Sequence, residues 1–513
     1  MSHIARSALI IAVFFGLEKA LGFVRQVMMA RTFGLSAELD TFNAANNLPD
    51  LLFILISGGT LGVALIPVLS EYLEKRGRPQ AWELFSRIAN LVFVVTAGFS
   101  ILVAVFAEPL VRSELGVAPG FNAQQQDLVV ELMRLNLLAT LLFSLSGLVM
   151  AGLQANQHFL LPAIAPSMYD LGALFGILIL APEKPYTLGP VTLPALGLGV
   201  HGLVYGVILG AALFLLVQVP GLFYYRFRYT FGIDFHNPGV RQVLGLLGPR
   251  VMTMFFIQMV FIAQDNLASR RAEGSVAALV YGWLFMQVPE SLIGTALGVA
   301  LLPTISEQFV RADEAAFRRS INQAVRVILA LTLPAAALLA TGIEPVIGLL
   351  NFDAGDTRLV AWTARAFLIG LVGHALMEVA GRSFYAQQDA RTPLYTAMAT
   401  LGVFIILGVV LASAFGAPGI GLANSVAFTS SAFILLYLLT RRYPGILKLQ
   451  GTLWRALAAA GLGAGVAYLL ITWLPAAVRL PLPEVVAALG AMVIGGLVAL
   501  PFILPELKLL LRL

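Results

Sequence analysis

The sequence predicts an all-α polytopic membrane protein with about fourteen transmembrane helices. Of its 513 residues, 59% are hydrophobic and only 12% are charged. Because soluble domains carry roughly 25% charged residues, this composition excludes a water-soluble enzyme of the same length. About 20 apolar residues are needed to cross the hydrocarbon core of a bilayer, so the apolar stretches indicate where the helices lie.

The apolar stretches are separated by short connectors that contain Gly and Pro, as at 76–79 and 237–239. The first stretch is too long and, with Glu18, Lys19 and Arg25, too charged for a cleaved signal peptide, so we expect a retained helix. We place the spans at 8–33, 40–70, 84–106, 128–153, 160–181, 196–224, 240–268, 274–305, 320–341, 359–386, 393–413, 418–440, 452–474 and 482–504.

The positions of the basic residues indicate orientation rather than nucleic-acid binding, since the net charge is only +5. An even number of spans puts both termini on one side, and the positive-inside rule predicts that this side is cytoplasmic. The connectors and tail on that side hold Lys75, Arg76, Arg78, Arg226, Arg228, Arg241, Arg311, Arg318, Arg319, Arg391, Arg441, Arg442, Lys448, Lys508 and Arg512.

An internal repeat indicates two halves. GVALIPVLSE at 62–71 recurs as GVALLPTISE at 298–307, and LPD at 48–50 is matched upstream by VPE at 288–290. An even number of spans separates the copies, which predicts parallel repeats with a central cavity between two six-helix lobes. The predicted divisions are an N-lobe at 1–230, a C-lobe at 231–445 and two further helices at 446–513.

Three segments resemble a known family: LGFVRQVMMARTFGLSAELDTFNAANNLPDLL at 21–52, LLGPR at 246–250 with Gln258 and VPESLIGTALGVALLPTIS, and RSFYAQQDARTP at 382–393. In these segments, and over nearly the whole chain, the sequence resembles the MurJ family, the lipid II flippases of the MOP exporter superfamily. The resemblance implies a MATE/MOP-like arrangement of the two repeats, with two C-terminal helices that the family carries beyond its twelve-helix core.

The resemblance also implies a function. A flippase of this kind moves an undecaprenyl-pyrophosphate-linked peptidoglycan precursor across the bacterial inner membrane by alternating access, while the lipid tail stays in the bilayer. No bond is broken, so we expect no enzyme activity. The sequence has no Gly-Lys-Ser/Thr phosphate loop, no HExxH motif and no clustered His or Asp ligands, so we expect no cofactor and no metal. The expected partners are the polyprenyl-pyrophosphate-linked sugar and membrane lipid, with no nucleic acid, and the expected state is a monomer.

Charged residues on the first helix are the leading candidates for binding the substrate. Glu18, Gly22 and Arg25 share one stripe and Lys19 lies on the adjoining face, so positive charge would meet a diphosphate in a low dielectric. By the resemblance, Lys19 and Arg25 match two basic family positions and Asp40 matches a family acid. The alternatives are a Glu18–Arg25 pair that satisfies only itself, or an Arg25 that reaches the membrane interface.

The chain departs from the family after LPDLL. The family carries two arginines and then an acid there, whereas this chain has Phe53, Ile54 and Gly58, and the family's arginine in span eight falls at Leu284. Arg250, or Arg270 and Arg271, are the candidates to compensate. A different polyprenyl-linked sugar is therefore an open alternative to lipid II.

Other charged groups within the spans are candidates for binding or for coupling. Glu290 follows Pro289 in the repeat and is expected to face either the cavity or Gln258, and both residues are candidates for binding the substrate. Asp170 replaces a family amide and could carry a proton. Glu378 and Arg382 stand four residues apart, which favours a structural ion pair over a gating role.

Three further alternatives remain, and one of them is a non-transporting scaffold, which would have no central cavity. An exporter of other polysaccharide lipids or of drugs could share the fold, and an apolar, aromatic cavity floor would favour it. A membrane glycosyl polymerase or ligase would need a long external loop with paired carboxylates, and the longest such loops, about 107–127 and 344–358, are short and poor in such pairs.

Overall fold

The chain folds almost entirely into helices. The computed structural model describes residues 3–56, 60–188, 191–449, 451–477 and 484–510. Within these ranges the α-helices are α1 (His3–Phe33), α2 (Ala37–Ile56), α3 (Thr60–Lys75), α4 (Arg78–Val105), α5 (Ala107–Arg112), α6 (Ala123–Ala155), α7 (Leu160–Phe175), α8 (Gly199–Leu216), α9 (Val219–Tyr224), α10 (Pro238–Ser269), α11 (Ser275–Glu290), α12 (Ala296–Val310), α13 (Glu314–Ile347), α14 (Ala354–Ile369), α15 (Leu371–Ala386), α16 (Arg391–Phe415), α17 (Ala417–Arg442), α18 (Thr452–Ala477) and α19 (Glu484–Leu510).

Short irregular elements interrupt or join these helices. A π-helical turn at Gly176–Leu180 extends α7, another at Ser291–Thr295 joins α11 to α12, and a 3₁₀ turn at Gly348–Leu350 follows α13. Strands β1 (Tyr186–Leu188) and β2 (Val191–Leu193) pair in an antiparallel hairpin. Apolar periodicity predicts none of these elements, because each depends on local backbone geometry.

The all-α membrane fold is confirmed. Among the described residues, twelve segments are long and apolar enough to cross a membrane, from Arg78–Val105 to Glu484–Leu509. They follow the predicted spans from 84–106 onward, and α1 with the α2–α3 pair occupies the first two predicted spans. The predicted span 40–70 is described as two helices, which end at Ile56 and begin at Thr60.

The helices cluster into two compact units, unit 1 (Met1–Arg270) and unit 2 (Arg271–Leu513). Helix α10 packs on α2, α3 and α4 and therefore lies in unit 1. Helices α18 and α19 pack on each other and on α13 in unit 2. The lobe boundary at residue 230 and a separate segment at 446–513 stay predictions.

In unit 1, an aromatic core joins α4 to the segment that follows α9. Trp82 and Phe85 are 2% exposed, and both rings meet the Phe227 ring edge-on at centroid distances of 5.3 and 5.5 Å. A Cβ atom on Gly152 of α6 would lie 2.8 Å from the Phe85 ring, so only glycine permits this approach. The packing holds one end of α4 against α6 and the chain beyond α9.

Glycines bring α7 into backbone contact with α8. A Cβ atom on Gly172 would lie 2.3 Å from Gly210, and one on Gly210 would lie 2.6 Å from the carbonyl oxygen of Tyr169. Close contact between small residues is a common way for helices to associate in a membrane. These contacts determine where α7 carries Tyr169 and Asp170.

In unit 2, a buried ion cluster attaches the last two helices. Glu506 of α19 is 1% exposed and pairs with Arg326 of α13 at 2.9 Å and with Arg455 of α18. The hydroxyl of Thr452 also donates to Glu506, at 2.7 Å. One carboxylate therefore joins three helices.

The sequence repeat reappears as a structural repeat. Each ten-residue copy lies in a helix with an internal proline, Pro67 in α3 and Pro303 in α12. Each copy ends in a glutamate that pairs with a basic residue one turn later, Glu71 with Lys75 at 2.9 Å and Glu307 with Arg311 at 2.7 Å. The two copies lie in different units.

Candidate functional site

Arg25 of α1 is held by two consecutive residues of α7. Its Nε lies 3.2 Å from Oδ1 of Asp170, and its Nη1 donates a hydrogen bond of 2.9 Å to the Tyr169 hydroxyl. The Arg25 side chain is 24% exposed and that of Asp170 is 4% exposed. The result is a largely buried ion pair between α1 and α7, two helices that are far apart in the sequence.

The Tyr169 ring contacts both Arg25 and a group of aromatic side chains. The guanidinium carbon of Arg25 lies 5.1 Å from the Tyr169 ring centroid, within cation–π range. The Phe143 ring meets the Tyr169 ring edge-on at 5.3 Å, and Phe53 lies 5.4 Å from Phe143. Phe53, named above as an expected departure from the family, therefore belongs to an aromatic group next to Arg25.

Glu18 and Lys19 form a separate, more exposed pair on α1. Nζ of Lys19 lies 3.3 Å from Oε2 of Glu18, with side-chain exposures of 60% and 25%. The partner of Arg25 across the helix interface is Asp170, not Glu18. Gly22 faces the Arg25–Asp170 pair, since a Cβ there would lie 3.8 Å from a carboxylate oxygen of Asp170.

Asp40 belongs to a second polar group of unit 1, between α2 and α10. Asp40 is 2% exposed and interacts electrostatically with Asp265 of α10, which is 7% exposed. The Nδ2 atom of Asn47 donates to Oδ2 of Asp265. The structure thus places Asp40 beside a second buried acid.

Two of the sequence candidates, Gln258 and Arg250, lie on α10. Gln258 is half-buried on this helix. Arg250 falls within the helix, but its side chain lies outside the described residues, and Gly58 lies outside them altogether. What Arg250 contacts stays a prediction.

In unit 2, Glu290, Glu378 and Arg382 come together. Arg382 Nη2 lies 2.6 Å from Oε2 of Glu378, and both residues interact electrostatically with Glu290. Glu290 accepts a 3.2 Å hydrogen bond from the Thr295 hydroxyl across the π-helical turn. A π turn places residues five apart on one face, which explains this contact.

The sequence reasoning missed several members of these groups. Asp50 interacts electrostatically with Arg25 and, in the repeat, occupies the position of Glu290, so the repeat could have identified it. Tyr169 could have been found as the neighbour of Asp170. Asp265 and Asn47 carry no signal of their pairing in a single sequence, because the contact depends on how α2 and α10 pack.

Comparison with known proteins decides the family. The family model described as lipid II flippase MurJ matches residues 29–494 of the chain. The chain belongs to the MurJ family. A lipid II flippase MurJ from Burkholderia cenocepacia is 29% identical over 450 residues, which cover 86% of this chain and 84% of the relative.

Solved structures agree with this fold. A structure of lipid II flippase MurJ in an inward closed conformation aligns with a TM-score of 0.78 at 22% identity, covering 96% of this chain and 98% of that one. An inward-facing multidrug resistance MATE transporter of the MOP superfamily aligns with a TM-score of 0.67 at 14% identity, covering 85% and 98%. The predicted MATE/MOP-like fold of the MurJ family is therefore confirmed.

Proposed function

We propose that this chain is a flippase that moves a polyprenyl-pyrophosphate-linked peptidoglycan precursor of the lipid II type across the bacterial inner membrane. The observation that carries the proposal is the match of the MurJ family model to residues 29–494. The chain acts as a transporter and breaks no bond of the substrate. Both termini lie in the cytoplasm, because most basic connectors share their side.

The Arg25 group provides the chemistry for a diphosphate head. A guanidinium has five N–H donors and binds phosphate oxygens through charge-assisted hydrogen bonds. The Tyr169 hydroxyl and Asp170 occupy part of that donor set. A diphosphate entering this site binds the remaining donors and competes with Asp170 for the guanidinium.

Asp170 has a role in the empty transporter. A buried cation left without a counter-ion destabilises a protein strongly, so an unpaired Arg25 would oppose any conformation that removes it from water. Asp170 supplies the missing charge when no diphosphate is bound. The transporter can then return with a neutral pair, and the substrate replaces the carboxylate in the loaded state.

Five further sequence candidates have supporting roles in this proposal. Lys19, with 60% of its side chain exposed, adds positive charge near the entrance of a substrate path along α1, and Glu18 orients it. The group of Glu290, Glu378 and Arg382 is the candidate for coupling, because it holds an acid next to an existing ion pair.

Growth of a bacterium depleted of its own lipid II flippase tests the proposal. We expect expression of this chain to restore growth and the appearance of lipid II at the outer face of the membrane. The control is a functional flippase inserted in the membrane at the same level as this chain. If the chain at that level restores neither growth nor lipid II at the outer face, the proposal is contradicted.

The aromatic group next to Arg25 supports a second candidate, an exporter of amphiphilic organic cations or drugs. Phe53 replaces a charged family position and packs on Phe143, which in turn contacts Tyr169. Expression in a drug-sensitive strain separates the two functions. A drug exporter would raise the inhibitory concentration of such compounds and would not restore growth without the native flippase.

A further inference from the structure

A pocket of about 670 Å³ lies where α4 begins and the chain leaves α9, away from Arg25. This volume falls within the range of roughly 300–1,000 Å³ that is usual for small-molecule sites. The side chains that matter here are three arginines and three aromatic residues: Arg78, Arg226, Arg228, Trp82, Tyr224 and Tyr225. All of them belong to unit 1.

The aromatic side of the pocket is held firmly. Trp82 is 2% exposed, and its indole Nε1 donates a 3.1 Å hydrogen bond to the carbonyl oxygen of Tyr225. The Tyr224 and Tyr225 rings meet edge-on at 5.0 Å. The turn after α9 is therefore attached to the first turns of α4 rather than lying free on the surface.

Among the described residues, the arginines of the pocket have no protein counter-ion. In the described part of the chain, no carboxylate oxygen lies within salt-bridge distance of Arg78, Arg226 or Arg228, whereas Arg87 on the same helix as Arg78 pairs with both Glu83 and Asp234. The guanidinium carbon of Arg78 lies 5.5 Å from the Tyr225 ring centroid. Three cations around one pocket, with no acid to neutralise them, favour an anionic ligand.

Arg226 occupies a backbone position that suits glycine better. Its φ is 54°, and the backbone N–H groups of Arg226 and Phe227 bond to the carbonyls of Phe223 and Leu222 at 3.0 and 2.9 Å. This is the Schellman geometry at the end of a helix, where glycine is the usual residue. An arginine here places a third cation at the pocket although the backbone would accept Gly more readily.

The surroundings of the pocket indicate a ligand that resides in the membrane. Phe223 and Tyr224 are 79% and 76% exposed beside it, and α4 begins a membrane span at Arg78. Exposed aromatic residues at the ends of spans are typical of the interface between lipid and water. A phosphate head that binds the arginines would leave its acyl chains along this apolar surface.

We propose that this pocket binds the phosphodiester head of an anionic glycerophospholipid such as phosphatidylglycerol. Arg78, Arg226 and Arg228 contact the phosphate oxygens, and the aromatic residues contact the glycerol and the first part of the acyl chains. The site is separate from the Arg25 group and does not depend on the proposed transport activity.

Lipid titration of the purified full-length chain in a neutral detergent tests this proposal. We expect phosphatidylglycerol to raise the unfolding temperature saturably, while phosphatidylcholine and inorganic phosphate at equal concentration do not. The triple variant Arg78→Gln, Arg226→Gly, Arg228→Gln should bind phosphatidylglycerol at least tenfold more weakly. The matched variant Arg311→Gln, Arg319→Gln, Arg391→Gln, which removes the same charge from other basic connectors, should bind like the unmodified chain.

A fluorescence measurement reports the position of the lipid. Trp82 is one of five tryptophans, so a chain with Trp283, Trp362, Trp454 and Trp473 changed to Phe reports on the pocket alone. Phosphatidylglycerol brominated on its acyl chains should quench this emission more strongly than brominated phosphatidylcholine does. If the triple variant fails to fold, Arg226→Gly alone replaces it. This variant should fold, because the backbone accepts glycine there, and it should bind phosphatidylglycerol about threefold more weakly.

Four results would overturn the proposal. Equal stabilisation by the two lipids would contradict a preference for an anionic head group. Equal stabilisation by inorganic phosphate would contradict the identification of the ligand as a lipid. Unchanged binding by the triple variant would show that the lipid does not bind in this pocket. If Arg226→Gly is used instead, unchanged binding by that variant would show the same. An equal loss of binding in the matched variant would indicate a general charge effect.

Discussion

At the scale of single residues, the Arg25–Asp170 pair determines how α1 meets α7. Two opposite charges removed from water stabilise a protein little as a pair, but removing one of them leaves the other uncompensated. The Tyr169 hydroxyl and ring add a hydrogen bond and a cation–π contact to the same guanidinium. In the proposed function, these contacts orient Arg25 before the substrate arrives and so lower the entropy lost on binding.

Asp170→Asn should destabilise the empty protein and strengthen its binding of a diphosphate. A fully buried pair that loses one partner costs roughly 3–5 kcal/mol, and the 24% exposure of Arg25 reduces that effect. Thermal unfolding in detergent should show a lower midpoint, and undecaprenyl diphosphate should recover more of it than in the unmodified chain. Asp127→Asn, which removes an exposed partner of Arg112, is the control. An unchanged midpoint in Asp170→Asn would contradict a structural role for the pair.

Tyr169→Phe should have a smaller effect, since it keeps the ring and removes only the hydroxyl acceptor. A hydrogen bond to a charged donor contributes about 1.5 kcal/mol, which corresponds to roughly a tenfold loss of lipid II flipping if the bond positions Arg25 for transport. The flipping rate in proteoliposomes measures this loss. Tyr205→Phe, on the exposed surface of α8, should flip at the normal rate. Equal rates in both variants would show that the hydroxyl does not position Arg25.

At the scale of elements, the start of α16 depends on one carboxylate. Oδ1 of Asp389 accepts the backbone N–H groups of Arg391 and Thr392 at 3.1 and 3.0 Å. Oδ2 accepts the Thr392 hydroxyl at 2.7 Å and Arg442 of α17 at 2.5 Å. Burial alone would raise the pKa of Asp389, but the hydrogen bonds from Thr392 and Arg442 outweigh it and lower the pKa below its ordinary value of 3.8.

This depressed pKa predicts a pH dependence. A carboxyl whose pKa is lower in the folded protein contributes stability that is present above its ordinary value and is lost as the pH falls through its folded value. Asp389→Asn should therefore lower the unfolding midpoint at pH 5 to 8, and the difference from the unmodified chain should shrink below about pH 4. Midpoints measured across this range check it. A difference that persists unchanged at the acidic end would contradict the role of the carboxylate charge.

Attachment of α18 and α19 to α13 should depend on Glu506. Its replacement by Gln leaves Arg326, 15% exposed, without its carboxylate, and breaking a buried pair costs roughly 3–5 kcal/mol. We expect Glu506→Gln to lower the unfolding midpoint and to speed proteolysis of the C-terminal helices. Glu484→Gln, an exposed acid on the same helix, is the control. Equal proteolysis of both variants would contradict this attachment.

The sequence predicts a feature well when the cause of that feature is local in the chain. Long apolar runs require membrane helices whatever their neighbours, so most spans agree with α4–α19 within a few residues. Arg25 and Asp170 are both sequence candidates, because each is a charged residue in an apolar helix. Their contact could not be predicted, because it depends on how α1 packs on α7. Glu506 was missed because it stands near the end of an apolar helix, where a charge is ordinary.

At the scale of the whole molecule, the repeat gives each unit a helix of the same kind, α3 in unit 1 and α12 in unit 2. The matched copies extend beyond the ten identical or similar residues into an ion pair at the end of each helix, Glu71 with Lys75 and Glu307 with Arg311. In the proposed function, a motion of the two lobes exposes the substrate site first to one side of the membrane and then to the other. In the same proposal, Arg25 in unit 1 supplies binding energy for the head group.

The most direct test compares the flipping of fluorescent lipid II in proteoliposomes by the unmodified chain, by Arg25→Ala and by Arg87→Ala. Arg87 is a matched control, because its side chain is also 24% exposed and also pairs with an aspartate, Asp234. We predict rapid flipping by the unmodified chain and by Arg87→Ala, and a loss of at least a hundredfold in Arg25→Ala at equal reconstitution. Flipping by Arg25→Ala at the rate of the unmodified chain would contradict the role of Arg25 in binding the diphosphate.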